Sequence, residues 1–180
     1  MKIYTVIGAR PQFIKASAVS RAIQESSKLS ETIIHTGQHF DKNMSDIFFS
    51  EMNIPEPMIN LDLGSLSHGA MTGRQLEKLE DIFSKESPDL VLVYGDTNST
   101  LSASLAAVKI HIPVAHIEAG LRSFNKKMPE EINRIISDHL SDFLFVPSEE
   151  AKKNLINEGI DEVKIHNVGD VMFDATKIFS

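Results

Sequence analysis

What most constrains this chain is the regular alternation of short apolar runs with longer segments of helical spacing, from its first residues almost to its last. Runs of β character cover 3–7, 32–36, 90–94, 114–117, 143–146 and 164–167. Between them, 12–24, 42–52, 71–84, 99–110, 130–140 and 149–157 carry apolar residues at helical intervals, as in Leu76, Leu79 and Phe83 or Leu101, Leu105 and Val108. That order belongs to βαβ units, and it predicts an α/β fold: a Rossmann-like parallel sheet flanked by helices on both faces. The least regular stretch, 53–69, is broken by Pro55, Pro57 and Gly64 and reads as a loop over one end of the sheet.

The 180 residues suffice for one domain with a sizeable core. A formal charge of -7, with 18 Lys and Arg in no long run, argues against nucleic acid or an acidic membrane as partner. The absence of Cys removes disulfides, thiolate nucleophiles and Cys-based zinc sites together. The seven His residues show no metal-ligand spacing, so no metal is expected; His116, inside a strand run, reads as a core histidine. The start of the chain lacks the apolar stretch of a signal peptide and no segment approaches the roughly 20 apolar residues of a membrane span, so the expected location is the cytoplasm.

Polar residues gather where the predicted strands end. Strand ends of a parallel sheet open onto one edge, where ligands bind in an open α/β fold. At the first end, Gly8-Ala9-Arg10-Pro11 leads into a helix on which Lys15 leans back beside Arg10 and the first-turn amides. Dipole, free N–H groups and two cations there favour a phosphate or carboxylate. Gly37-Gln38-His39 ends the second run, with His39 either lining the edge or satisfied by the local backbone. Asp96 follows Gly95 after an apolar run; it reads as an edge carboxylate, or Asp96, Thr97 or Asn98 simply caps the next helix. Glu118 ends the fourth run, as a functional carboxylate or as the partner of Arg122 or Arg134. In Met128-Pro129-Glu130-Glu131-Ile132-Asn133-Arg134, Ile132, Ile135, Ile136 and Leu140 share a stripe, with Glu130 and Arg134 nearly opposite it at i,i+4. That pair either acts together across a cleft or is a solvated ion pair.

Taken jointly, these segments resemble the non-hydrolysing UDP-N-acetylglucosamine 2-epimerase family. The glycine-x-arginine-proline turn with its downstream Lys, the G-Q-H, the G-D-T, the E-A-G-L-R and the P-E-E-x-N-R all occur, in that order. The resemblance implies the N-terminal half of a GT-B-like two-domain fold, with residues 1–180 as one Rossmann-like domain and the C-terminal nucleotide-binding domain absent from this chain. The crevice lacks a second wall against water, and the chain stops soon after a further helix starts at Gly169-Asp170-Val171. The implied reaction inverts C2 of a UDP-2-acetamido sugar by elimination and re-addition of UDP, without NAD or metal. By position the resemblance assigns Asp96, Glu118 and Glu130 to proton transfer or charge stabilisation, and Arg10, Lys15, Gln38, His39 and Arg134 to substrate binding. Gly8-Ala9-Arg10-Pro11-Gln12 and the segment after His39 look most like the branch acting on UDP-2,3-diacetamido-2,3-dideoxyglucuronate. Lys126 and Lys127 are candidate cations for that sugar's carboxylate, or merely solvated. A homodimer is implied as well, and an isolated half is expected to be a poor catalyst. The competing readings are a hydrolysing relative, half of a GT-B glycosyltransferase, or a non-catalytic binding module.

Overall fold

The computed structural model describes residues 1–38 and 57–179. Its strands are β1 (Lys2–Ile7), β2 (Ser30–His35), β3 (Ile59–Asn60), β4 (Leu90–Tyr94), β5 (Val114–Ile117), β6 (Phe143–Val146) and β7 (Ile165–Asn167). Its helices are α1 (Arg10–Gln24), α2 (His68–Glu86), α3 (Asn98–Lys109), α4 (Pro129–Leu140), α5 (Glu149–Asn157) and α6 (Val171–Phe179). All strand pairs are parallel, in the order β3-β2-β1-β4-β5-β6-β7. The expected α/β sheet is present, and all of its strands except β3 lie where the apolar runs are.

Buried strands alternate their side chains between two cores. Tyr4, Val6, Val91 and Val93 pack against Leu79 and Phe83 of α2 and Ala103, Ala106 and Ala107 of α3. Small residues on α3 let its backbone approach the sheet closely. Ile3, Ile7, Leu92 and Tyr94 point the other way, onto Phe13, Ala16 and Ile23 of α1. Leu144 and Val146 of β6 share the α3 side and receive Ala151 and Leu155 of α5. On the α1 side, an apolar groove of about 620 Å³ runs between α1 and α6, lined by Ile3, Leu92, Ala115, Ile117 and Phe145.

Two expectations need correction. The predicted loop 53–69 contains, in its described part, the strand β3, which pairs with β2 through Ile34–Ile59 and His35–Asn60. Two residues are too few for any periodicity. The helix α2 begins at His68 rather than 71, because the Ser67 hydroxyl accepts from the Ala70 N–H and caps it. The helix expected at 42–52 lies outside the described residues, as does His39.

The order places a switch point between β1 and β4: the connection after β1 carries α1 on one face, and that after β4 carries α3 on the other. Ligands of open α/β sheets bind beyond the strand ends at such a point. Gly8 and Gly95 follow the two strands that flank it, and Glu118 follows β5, the next strand along the sheet.

Candidate active site

The turn after β1 is closed by a residue that sequence reasoning passed over. Gln12 is buried, and its Oε1 accepts from the backbone N–H groups of Gly8 at 2.8 Å and Ala9 at 3.0 Å. Its Nε2 faces the Tyr94 carbonyl at 2.8 Å and the hydroxyls of Thr97 and Thr100. This stitches the β1 turn to the end of β4. Both of these amides precede α1, so they are distinct from the first-turn N–H groups expected to favour an anion; of the latter, that of Gln12 already donates to the Ala9 carbonyl at 2.9 Å. Gly8 must be glycine here, because a side chain would collide with the hydroxyls of Thr36 and Ser99.

Gln38 does similar work at the start of α3. Its Oε1 accepts from the Ser99 N–H at 3.1 Å and the Ser99 hydroxyl at 2.9 Å. The cap of α3 is Thr97, whose hydroxyl oxygen accepts from the Thr100 N–H. Asp96 is therefore not spent on capping, and its carboxylate forms an ion pair with Arg134 of α4.

Glu118 follows directly on β5 with a backbone φ of 69°, a left-handed conformation unusual for a residue with a side chain. Such strain gathers at functional sites. Its carboxylate pairs with Lys15 of α1, not with Arg122 or Arg134 as the alternative reading had it. The Lys15 and Glu118 side chains are only 11% and 19% exposed, so the pair is shielded yet reachable from the strand edge. Gly95 lies against it: a Cβ there would sit 3.1 Å from Glu118 Oε2 and 3.5 Å from Lys15 Nζ.

The expected Glu130–Arg134 pair does not form. Arg134 turns to Asp96 and, at 3.2 Å, to Glu131, while Glu130 is exposed and without a hydrogen bond or ion pair among the described residues. Glu131 is the buried acid. Burial raises its pKa, but the N–H groups of Ser123 at 3.0 Å and Phe124 at 2.8 Å, with Arg134, outweigh that and hold the carboxyl below its usual range. Glu131 thus fastens the loop before α4 and steers Arg134. Asn133 adds a second tie, its amide donating to the Asp96 carbonyl at 2.9 Å. Both were legible only as helix-start residues. Arg10 is exposed at the head of α1. Lys126 lies beside Arg122, Glu131 and Glu158 in a recess of about 320 Å³ whose lining includes neither Asp96 nor Glu118.

The arrangement gives two carboxylates, each matched by a cation, on one strand edge, with Gly95 next to Asp96 in sequence and against the Lys15–Glu118 pair in space. Among the described residues no three His, Asp or Glu side chains converge as metal ligands, and no helix is long and apolar enough to cross a membrane. The profile of the UDP-N-acetylglucosamine 2-epimerase family matches residues 21–180.

The chain belongs to that family.

It is 62% identical to the UDP-2,3-diacetamido-2,3-dideoxy-D-glucuronate 2-epimerase of Pseudomonas aeruginosa, over 100% of this chain and 51% of that epimerase. A crystal structure of the Methanocaldococcus jannaschii UDP-GlcNAc 2-epimerase, in complex with UDP-GlcNAc and UDP, superimposes with a TM-score of 0.96 at 50% identity, covering 99% of this chain and 49% of that one. A lipopolysaccharide outer core galactosyltransferase shares the fold alone, at a TM-score of 0.68 and 18% identity over 94% of this chain and 46% of its own. The sheet is thus of the GT-B type expected. The chain spans about half the length of the 2-epimerases it matches.

Proposed function

We propose that the protein to which this chain belongs is a non-hydrolysing 2-epimerase, inverting C2 of a UDP-linked 2-acetamido sugar. The observation that carries this reading is the convergence of the Lys15–Glu118 and Asp96–Arg134 pairs on one strand edge in a chain of this family. The chemistry needs a base to take the C2 proton while the C1–O bond to UDP breaks. The C–H electron pair becomes a C1–C2 double bond, and UDP leaves with the electrons of the C1–O bond. Return of a proton to the opposite face, with re-addition of UDP at C1, gives the epimer. We assign the proton transfers and the stabilisation of charge at C1 to Asp96, Glu118 and Glu130 as a set. Exposed Glu130 becomes part of that set when a second domain closes over the edge. Arg10, Lys15, Gln38, His39 and Arg134 take the substrate-binding roles, with the cations serving the diphosphate and sugar. No nicotinamide or metal enters this scheme.

The likeness to the Pseudomonas aeruginosa protein favours UDP-2,3-diacetamido-2,3-dideoxyglucuronate as substrate, with UDP-GlcNAc the other candidate. The nucleotide base is assigned to a second domain beyond this half, and the site of action to the cytoplasm. The isolated half is a poor catalyst in this account. We further propose a homodimer through α4, whose Ile132 and Ile136 are 43% and 38% exposed while its polar side is buried. Replacing both by Glu is expected to convert a dimer to monomers in sedimentation; a wild-type monomer, or an intact variant dimer, rejects it.

The functional test is proton NMR of the full-length protein with each UDP sugar. Appearance of the manno epimer without free UDP supports the proposal. Stoichiometric release of UDP supports a hydrolysing enzyme or a transferase instead, and binding without any change of either sugar supports a non-catalytic module.

A further inference from the structure

His116 lies two residues before Glu118, and its side chain is fully buried beneath α4. Its Nδ1 stands 2.7 Å from Asp138 Oδ1, and its Nε2 stands 2.7 Å from the carbonyl oxygen of Gly95. A carbonyl can only accept. Asp138 is an acceptor too: burial raises its pKa, but His116 and Arg122 outweigh that and hold the carboxyl below its ordinary range. Two acceptors require two ring N–H groups, whereas neutral imidazole has one.

The second oxygen of Asp138 accepts from the Gly120 backbone N–H at 3.1 Å and pairs with Arg122 at 2.7 Å. Arg122 is gripped in turn by both oxygens of Glu158, which His139 approaches at 3.5 Å. One buried ring therefore holds the carbonyl immediately before Asp96 and, through Asp138, the amide two residues after Glu118. Gly95 and Glu118 both have left-handed backbones, with φ of 60° and 69°; glycine adopts this freely, whereas Glu118 needs surrounding bonds to stay there.

We infer that His116 is a positioning residue, held with both ring nitrogens protonated, that fixes the Asp96 and Glu118 turns relative to each other. The inference rests on the epimerase reading for its kinetic consequence, though not for its geometry. A displacement of about 1 Å at reacting groups costs up to about 10²-fold in rate. Both ring nitrogens are engaged by Asp138 and the Gly95 carbonyl rather than by the carboxylates of the two ion pairs, so the influence of the ring is on their placement.

The test uses full-length protein. Nitrogen-15 NMR of the histidine rings, with His116 assigned by its loss in His116→Gln, is expected to show two protonated nitrogens; one unprotonated nitrogen overturns the inference. In His116→Gln, kcat is expected to fall about 10- to 100-fold with KM within about threefold, and the Gly120 amide to exchange with solvent at least about tenfold faster. A variant that is merely less heat-stable, with wild-type kcat per folded molecule and unchanged Gly120 exchange, overturns it. His111→Gln, at an exposed turn, serves as the unchanged control. If His116→Gln does not fold, Asp138→Asn carries the same kinetic and exchange expectations. Should the wild type epimerise neither sugar, the functional reading fails, and the ring protonation with Gly120 exchange still decides the positioning role.

Discussion

The ammonium of Lys15 and the carboxylate of Glu118 join α1 to the end of β5 across the Cα of Gly95. The glycine is required twice over. Its φ of 60° disfavours any side chain, and a Cβ would crowd Glu118 Oε2 at 3.1 Å. Gly95→Ala is therefore expected to cost about 1–3 kcal/mol of stability in denaturant unfolding. It should also lower kcat/KM of the full-length protein by at least about tenfold. Wild-type kinetics in that variant would detach the pair from the chemistry.

Gln12 concentrates much of the order of this edge in one buried amide. Gln12→Leu keeps the bulk but leaves the N–H groups of Gly8 and Ala9 without their acceptor, while the Tyr94 carbonyl keeps the Thr100 hydroxyl at 2.6 Å. At roughly 1–3 kcal/mol for each buried group left unpaired, a loss of at least about 2 kcal/mol is expected. Chemical unfolding checks it; a loss under about 0.5 kcal/mol would show that water replaces the amide without penalty.

Glu31 of β2 supplies a pH test distant from the site. Burial raises its pKa above the ordinary value, with the Thr5 hydroxyl and Ser20 offsetting part of this. A carboxyl whose folded pKa is raised contributes fully below its unfolded value near about 4.3, and that contribution is lost as pH rises through the raised folded value. Glu31→Gln removes this loss. The difference in melting temperature, variant minus wild type, should therefore be more positive at pH 8 than at pH 4, and a flat or reversed difference contradicts the account.

The sheet was legible because its strands are apolar on both faces: 90–94 reads as a buried strand with no outside help, and the structure agrees at both ends. The strand β3 was not legible, since only pairing with β2 makes Ile59 and Asn60 a strand. The start of α4 shows where local pattern misleads. Its periodic Ile132, Ile135, Ile136 and Leu140 suggest the face that packs inward, yet the buried residues are Glu131, Asn133, Ser137 and Asp138. Their partners lie on the Asp96 turn, the loop before α4, and β5, and no spacing rule reveals bonds to such distant segments. Similarly, i,i+4 spacing favoured Glu130 for Arg134, but Asp96 and Glu131 hold it. His116 was legible as a core histidine, while its link to Asp138 required the fold.

The central claim is proton exchange at C2 by these carboxylates, and solvent deuterium tests it most directly. Full-length protein and a UDP-2-acetamido sugar are incubated in deuterated water, and the C2 signal is followed by NMR. The account predicts deuterium at C2 in step with formation of the manno epimer, and a rate lower by about 10²-fold or more in Glu118→Gln. Epimer formed with the original C2 hydrogen retained, or an undiminished rate in Glu118→Gln, would contradict it.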